Sequence, residues 1–456
     1  MKLNQRYIKS VEELQSLAEG EEKILFVASQ TSTVIPYHLL EQRLTAWAEG
    51  KGLESITVAD LSRLPKEMDL DAEGNLHIKG MVTWEEAIAF CQVRGRTIMT
   101  YPTEQLAAIP AGVATSATGE RCFGFGTLRN QVRSLSFVSG KGELIKLSRD
   151  RKLDSIPGLD AYRDSYKAFE NFKNAPFPRF DVETDLLTGT EGQLGPIVEV
   201  ELETTPLEDV RYFFILLPPW EETLTPHLEL FEKVQAFKGA VLSCELLDRH
   251  CMSLLSKANQ LGSDQDVMFL EVRGEEEAFD QVFEELLMDF EHIDDESIFE
   301  ISEERFHEIR AEVPRAIFEN NQRMGVEKKG TDIQVRDRDF KTLLETYLQG
   351  TQMGLPYFLF GHFGNAHLHF NFLPKADEVA RCNEYFEDLY ADVLKWQGSP
   401  FAEHGIGLIK QRYIQPFLSD VHYRVFRELK QVYDPKNLFF PMGFMNGPHA
   451  ANFSDS

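Results

Sequence analysis

The sequence predicts an α+β protein of more than one domain. Three observations carry this. The 456 residues exceed one ordinary core, since domains average roughly 150 residues. Hydrophobic residues make up 43% and charged residues 27%, the balance of a folded chain rather than a disordered one. Short apolar runs alternate with helical patterns along most of the length, and the texture changes near residue 206.

Taken in order, KILFVAS (23–29) reads as a strand and YHLLEQRLTAWAEGKG (37–52) as a helix stopped by glycine. NLHIKG (75–80) is another strand. Thr83 then caps a helix, with Glu86 three residues on completing a capping box. The stretch 101–130 is rich in Gly, Ala, Thr and Ser, lacks periodicity, and reads as loop wrapped around something. TPLEDV (205–210) reads as a linker. RYFFILLP (211–218) is a buried strand, followed by a helix near 223–237 and a strand VMFLEVRG (267–274). Phe279, Val282, Phe283, Leu286, Leu287 and Phe290 fall at i, i+3, i+4, i+7, i+8 and i+11, the stripe of an amphipathic helix. A glycine-punctuated, loop-rich segment follows at 354–407, and the tail from Asp434 is rich in breakers.

Composition excludes several classes. Forty-seven basic against 74 acidic residues give a net charge of −27. That argues against a nucleic-acid partner, which needs basic surface to displace counterions. It also disfavours a broad hold on anionic lipid. No apolar run reaches the ~18–20 residues of a membrane span, so no integral membrane segment is expected. The N-terminus has no signal-peptide core. The five cysteines, Cys91, Cys122, Cys244, Cys251 and Cys382, are scattered without a CxxC pair. Reduced thiols in a cytoplasm suit that spacing better than disulfides or a zinc ribbon.

Three stretches could carry chemistry. GHFGNAHLHF (361–370) holds three of the twelve histidines. His367 and His369, two apart, leave the same face of a strand, and His362 could converge on them across a glycine turn. FAEHGIG (401–407) adds Glu403 and His404. Such a His/His/Glu set can hold a divalent metal such as zinc or manganese with positions left open; the alternative is a group of hydrogen-bonded surface or core histidines. IPAGVATSATGERCFGFGTLRNQV (109–132) offers small residues that let backbone approach a flat ligand, with N–H groups that could cradle a pyrophosphate. LLTGTEGQLGPIVEVELET (186–204) is a glycine turn leading into an alternating strand. By themselves the last two read equally well as a loop and a hairpin.

In order, these motifs resemble the FAD-linked oxidases and dehydrogenases with a PCMH-type, vanillyl-alcohol-oxidase-like flavin domain. The nearest branch contains D-lactate dehydrogenase, the glycolate oxidase flavin subunit and D-2-hydroxyglutarate dehydrogenase. The family patterns IGGNxATNAGG, YGTL, GSEGTLGIIT, GHxGDGNLHLN, EHGIGxxK and DPxxxxNPGK stand here as IPAGVATSATGE, FGFGTLR, GTEGQLGPIVE, GHFGNAHLHFN, EHGIGLIK and DPKNLFFPMGF. The resemblance spans roughly 24–445.

It implies an FAD-binding domain of two subdomains over 1–205, a substrate (cap) domain with an antiparallel sheet and helices over 206–425, and a segment over 426–456 that returns to the FAD domain with a disordered end. It implies non-covalent FAD held through Thr31, Ser32, Pro102, Gly112, Val113, Ser116, Gly119, Gly126, Thr127, Leu128, Glu191, Gly192, Gly195, Ile197 and Asn437. It implies metal ligands His362, His369 and Glu403, His404 as general base, and Arg310, with Lys329 as a second candidate, on a substrate carboxylate. The implied reaction oxidises a small D-2-hydroxyacid to the 2-oxoacid by hydride transfer to flavin. The implied electron acceptor is a quinone, a cytochrome, an electron-transfer flavoprotein or oxygen. The implied location is the cytoplasm, or the periphery of the inner membrane where the acceptor lies.

The sequence also departs from the pattern. Val27-Ala28-Ser29-Gln30-Thr31-Ser32 stands where the family has an RGGGTS-like loop. Pro110-Ala111 replaces paired glycines, and proline has no N–H to offer a phosphate. His367 replaces an asparagine, Leu408 an arginine, and Met442-Gly443-Phe444 a Pro-Gly-Lys. These changes leave two further readings open: a flavoprotein subunit acting on another alcohol, and a non-catalytic paralogue.

Overall fold

The computed structural model describes residues 2–48, 55–154, 156–262, 264–274, 283–326 and 328–447. Among them, strands β1 (Lys2–Tyr7), β2 (Lys23–Val27) and β3 (Ser55–Asp60) form a parallel sheet in the order β1-β3-β2. The helix Val11–Glu19 joins the first two, capped by the Ser10 hydroxyl on the Glu13 N–H. An antiparallel sheet follows, built from β4 (Glu67–Leu70), β5 (Leu76–Lys79), β7 (Val132–Val138), β8 (Leu144–Ser148) and β9 (Ile197–Leu202) in the order β4-β5-β9-β7-β8. A short ribbon pairs β6 (Arg96–Ile98) with β10 (Thr204–Pro206). The capping box at Thr83 is present, with both of its hydrogen bonds. It starts a helix whose Trp84 is fully buried in the core.

The remaining strands make one eight-stranded antiparallel sheet: β11 (Val210–Leu217), β12 (Val241–Leu247), β13 (Asp266–Arg273), β14 (Ile298–Ile301), β15 (Lys329–Gly330), β16 (Ile333–Gln334), β17 (Tyr357–Gly361) and β18 (His367–Phe372). The unbroken apolar run of β11 is explained by burial on both faces. Phe213 and Ile215 pack with the helices Thr225–Ala236, Phe340–Thr351 and Val379–Lys395. Tyr212 and Phe214 turn the other way, onto Phe306, Ile309 and Val313 of the helix Glu303–Met324. After the helix Asp420–Tyr433 the chain lies against the first sheet. The Ile24 N–H donates to the Leu438 carbonyl at 2.8 Å, and the Phe440 N–H to the Ile24 carbonyl at 2.8 Å.

The mixed helix-and-sheet class agrees with expectation. Local readings need correction in three places. The stretch 101–130 contains short helices at Ile109–Ala114, Cys122–Phe125 and Leu128–Gln131, because small residues suit helix as well as loop. Residues 354–407 hold β17, β18 and the 17-residue helix Val379–Lys395; the glycines flank these elements. The proposed linker begins inside β10. Phe279 and Val282 lie outside the described residues, while Leu286 and Leu287 are buried in the large core.

Candidate functional site

β17 and β18 bring the three histidines together through the turn at Phe363–Asn365. His362 and His369 both aim Nε2 at one carboxylate: Glu403 Oε2 lies 2.8 Å from His362 and Oε1 lies 3.0 Å from His369. Their other ring nitrogens are also held. His362 Nδ1 meets Glu245 Oε1 at 2.9 Å on β12, and His369 Nδ1 meets the Thr331 carbonyl at 3.1 Å. That arrangement fixes each ring and leaves Nε2 facing the cluster, as metal-binding histidines are oriented. Burial opposes ionisation of Glu403, but His362, Lys173 and the two histidine hydrogen bonds outweigh it and hold the carboxyl well below the usual range. Burial would neutralise His362, yet Glu245 and Glu403 raise it to about 9.

Asp332, immediately before β16, organises the rest. Its carboxylate accepts from the His404 N–H at 3.0 Å, from Lys410 Nζ at 2.8 Å, and lies 3.1 Å from His367 Nε2. The turn 402–404 therefore hangs from one aspartate. Burial works against its charge, and Lys410, His404 and His367 overcome this, keeping Asp332 well below the usual range. His367 has both ring nitrogens engaged, since Lys173 Nζ lies 3.3 Å from Nδ1. His404 stacks on His369 at 4.9 Å and 14°, its Nε2 3.4 Å from Glu403 Oε1. At 33% side-chain exposure, against 7% or less for His362, His367 and His369, it is the most exposed histidine of the group.

The other two candidates stand differently. Arg310 Nη2 lies 3.2 Å from Glu120 and 3.2 Å from Glu245, so both carboxylates share it. It joins the cluster through Glu245, which also binds His362. Lys329 pairs with Phe372 at the sheet edge, and its charge acts on Cys382 of the helix Val379–Lys395. Sequence reasoning missed Asp332, Lys173 and Glu245. Asp332 lies three residues after the candidate Lys329, whereas no local signal marks the other two.

The residues expected around a cofactor are spread over loops, the helices Ile109–Ala114 and Leu128–Gln131 and the start of β9. Thr31 and Ser32 follow β2 and are half-buried; Ser29 and Gln30 are exposed, with Gln30 at φ 56°. Among the described residues, the N–H groups of 29–33 and the hydroxyls of Thr31 and Ser32 make no hydrogen bond within the chain. Ala28 and Ala111, which replace glycines, pack against the core beside the first sheet. Pro110 is buried in the first turn of its helix, where the missing N–H has no helical partner anyway. Gly112 lies against Trp84, whose ring would be 3.0 Å from an added Cβ, and Val113 is buried beside it. Gly119 abuts Tyr101 and Pro102 so closely that a Cβ would stand 1.9 Å from the Tyr101 carbonyl.

Glu191 accepts from the Ile406 and Gly407 N–H groups, and its own N–H reaches the Ala114 carbonyl at 2.8 Å. Gly192 faces Phe26, and Gly195 approaches the Val138 carbonyl. Gly126 and Thr127 begin the helix at Leu128, which is buried with Ile197. Asn437, at φ 48°, turns the C-terminal segment. The N–H groups of 29–33, unpaired among the described residues, suit an anionic diphosphate; Ala28 packs against the core, whereas Ser29 and Gln30, which also stand in for glycines, keep exposed side chains. An imidazole–imidazole–carboxylate set with oriented rings fits a divalent transition metal. The ligand atoms of Asp332, His367, His369 and Glu403 all lie within 4.8 Å of one another, a group that takes in His367 and Asp332 but not His362; a second group, Asp71, His77 and Glu201, lies apart at the second sheet.

Comparisons with known proteins find matches over most of the chain. Residues 44–148 match the FAD binding domain, and 227–442 match the C-terminal domain of FAD linked oxidases. The chain is 25% identical over 411 residues to a D-2-hydroxyglutarate dehydrogenase of Xanthomonas citri pv. viticola, covering 84% of this chain and 78% of that one. It is 21% identical over 384 residues to a D-lactate dehydrogenase of Archaeoglobus fulgidus, covering 82% and 78%. A solved alkyldihydroxyacetonephosphate synthase superposes with a TM-score of 0.65 at 14% identity, over 95% of this chain and 75% of that one; it shares the fold. Among the described residues no helix is long and apolar enough to cross a membrane.

Proposed function

We propose that this chain, which belongs to the FAD-linked oxidoreductases, oxidises a small D-2-hydroxyacid to the 2-oxoacid. The observation that carries the proposal is the convergence of His362 and His369 on Glu403, with the half-exposed His404 stacked beside them. His362, His369 and Glu403 would hold a divalent metal, and Thr31, Ser32 and the N–H groups of 29–33 would face the FAD diphosphate. When bound, the flavin supplies a hydride acceptor and the metal a Lewis acid for the substrate oxygen. His404 takes the hydroxyl proton. Asp332 positions His404 by holding its backbone N–H, and Glu245 and the Thr331 carbonyl keep the His362 and His369 rings turned toward Glu403.

The test is an absorbance spectrum with metal analysis of the purified protein, then anaerobic mixing with D-lactate, glycolate and D-2-hydroxyglutarate. Oxidised-flavin bands that one of these acids bleaches are expected. Protein that stays colourless after incubation with FAD, or bleaches with none of them, refutes the proposal. The sharing of Arg310 between two glutamates favours a second reading, a flavoprotein acting on a non-carboxylate alcohol. Bleaching by such alcohols alone would establish it.

A further inference from the structure

Among the described residues Arg179 makes no ion pair; Asp181 and Asp185 favour its charge only from longer range. Its Nη2 donates to the carbonyls of Phe169 and Phe172, and its Nε is enclosed with no partner. The nearby acids bind another residue: Asp181 and Asp185 lie 2.7 and 2.6 Å from Arg129. Burial, and then repulsion by Arg129, pull the Arg179 guanidinium down to about 10. An enclosed cation with a free donor gains most from an arriving anion.

Arg179 lines a pocket together with Ser116, Asn174, Phe177, Phe401 and Ile406; Glu191 and Arg129 are also on its wall, the Glu191 carboxylate being held by the Ile406 and Gly407 N–H groups. The pocket borders the histidine cluster. Lys173, also on its wall, places Nζ 3.7 Å from Glu403 Oε2, and Asn174 Nδ2 donates at 2.7 Å to the carbonyl of Ala402, the residue before Glu403. Arg310, by contrast, is already shared by two glutamates.

We infer that this pocket is an anion site that takes a carboxylate of the substrate, with Arg179 as its donor in place of Arg310. The inference rests on the 2-hydroxyacid reading and deepens it. The phenyl and proline walls favour a short aliphatic acid over a polyphosphate.

The test uses flavin-loaded protein and calorimetric titration with malonate and glutarate, which lack the hydroxyl and cannot reduce flavin. Binding to the wild type is expected, weakened about 10- to 100-fold in Arg179→Gln, the effect of losing a charged hydrogen bond, with flavin content unchanged. Independently of any variant, glutarate should protect Arg179 of the wild type from phenylglyoxal, read by mass spectrometry. Wild-type protein that binds neither acid, unchanged affinity in Arg179→Gln, or absence of protection overturns the inference. Loss of flavin from Arg179→Gln also overturns it, because the charge then serves the cofactor's diphosphate. If Arg179-dependent glutarate binding persists while no hydroxyacid bleaches the flavin, the pocket stands and the reaction reading falls.

Discussion

Replacing Asp332 by Asn tests the electrostatic logic of the site at one atom pair. Asp332 and Lys410 approach to 2.8 Å with side-chain exposures of 1% and 11%. At an effective dielectric near 20, two charges at that distance attract by about 6 kcal/mol before desolvation. Removing one partner of a buried pair costs about 3–5 kcal/mol, because the other charge stays behind. Asp332→Asn is expected at the upper end, since its carboxylate also receives the His404 N–H and faces His367. Lys410→Met should cost about 3 kcal/mol, because His367 and the backbone N–H groups still face the carboxylate. In the double variant neither charge is stranded, so its cost should fall short of the sum by at least about 2 kcal/mol. Urea unfolding followed by tryptophan fluorescence gives the three values. Costs that add to within about 0.5 kcal/mol would refute the argument, because independent sites behave that way.

Purified protein should carry divalent metal that Glu403→Gln and His369→Ala each lose, measured by elemental analysis; retention in both would disprove the ligand assignment. Gly407→Ala should destabilise by about 2–4 kcal/mol in a thermal or urea melt, because its φ is 54° and a Cβ would stand 2.4 Å from the Val34 carbonyl. His422 is buried among Tyr162 and Phe177 and interacts with Ser419 through Nδ1, and burial lowers its pKa to about 4. The unfolded chain, with histidine near 6.5, then binds the proton more tightly than the folded one. The stabilisation is therefore intact above pH about 6.5 and is lost as pH falls toward 4, by up to about 3 kcal/mol. Urea midpoints measured across that window should slope less in His422→Gln; equal slopes would sink the assignment.

Much of the site was legible from local spacing. His367 and His369 share a strand face because side chains alternate there, and the EHGIG turn supplies Glu403 and His404 at adjacent positions. The capping box at Thr83 and the buried strand of β11 were legible for the same reason. The helix Glu303–Met324 was not, since it carries Pro314 in its interior. Its stripe of Phe306, Ile309, Val313 and Ile317 against the sheet outweighs that break.

The sequence by itself determined the α+β class, the family resemblance and the grouping of His362, His369, Glu403 and His404, because periodicity and short motifs depend on near neighbours along the chain. The tertiary structure decided which atoms face them. Glu245 meets His362 across 117 residues and Lys173 meets His367 across 194. It also decided that Arg310 is shared while Arg179 is left over. Such pairings arise where separate elements cross, and the charge a residue finds there is set by packing rather than by its neighbours in sequence.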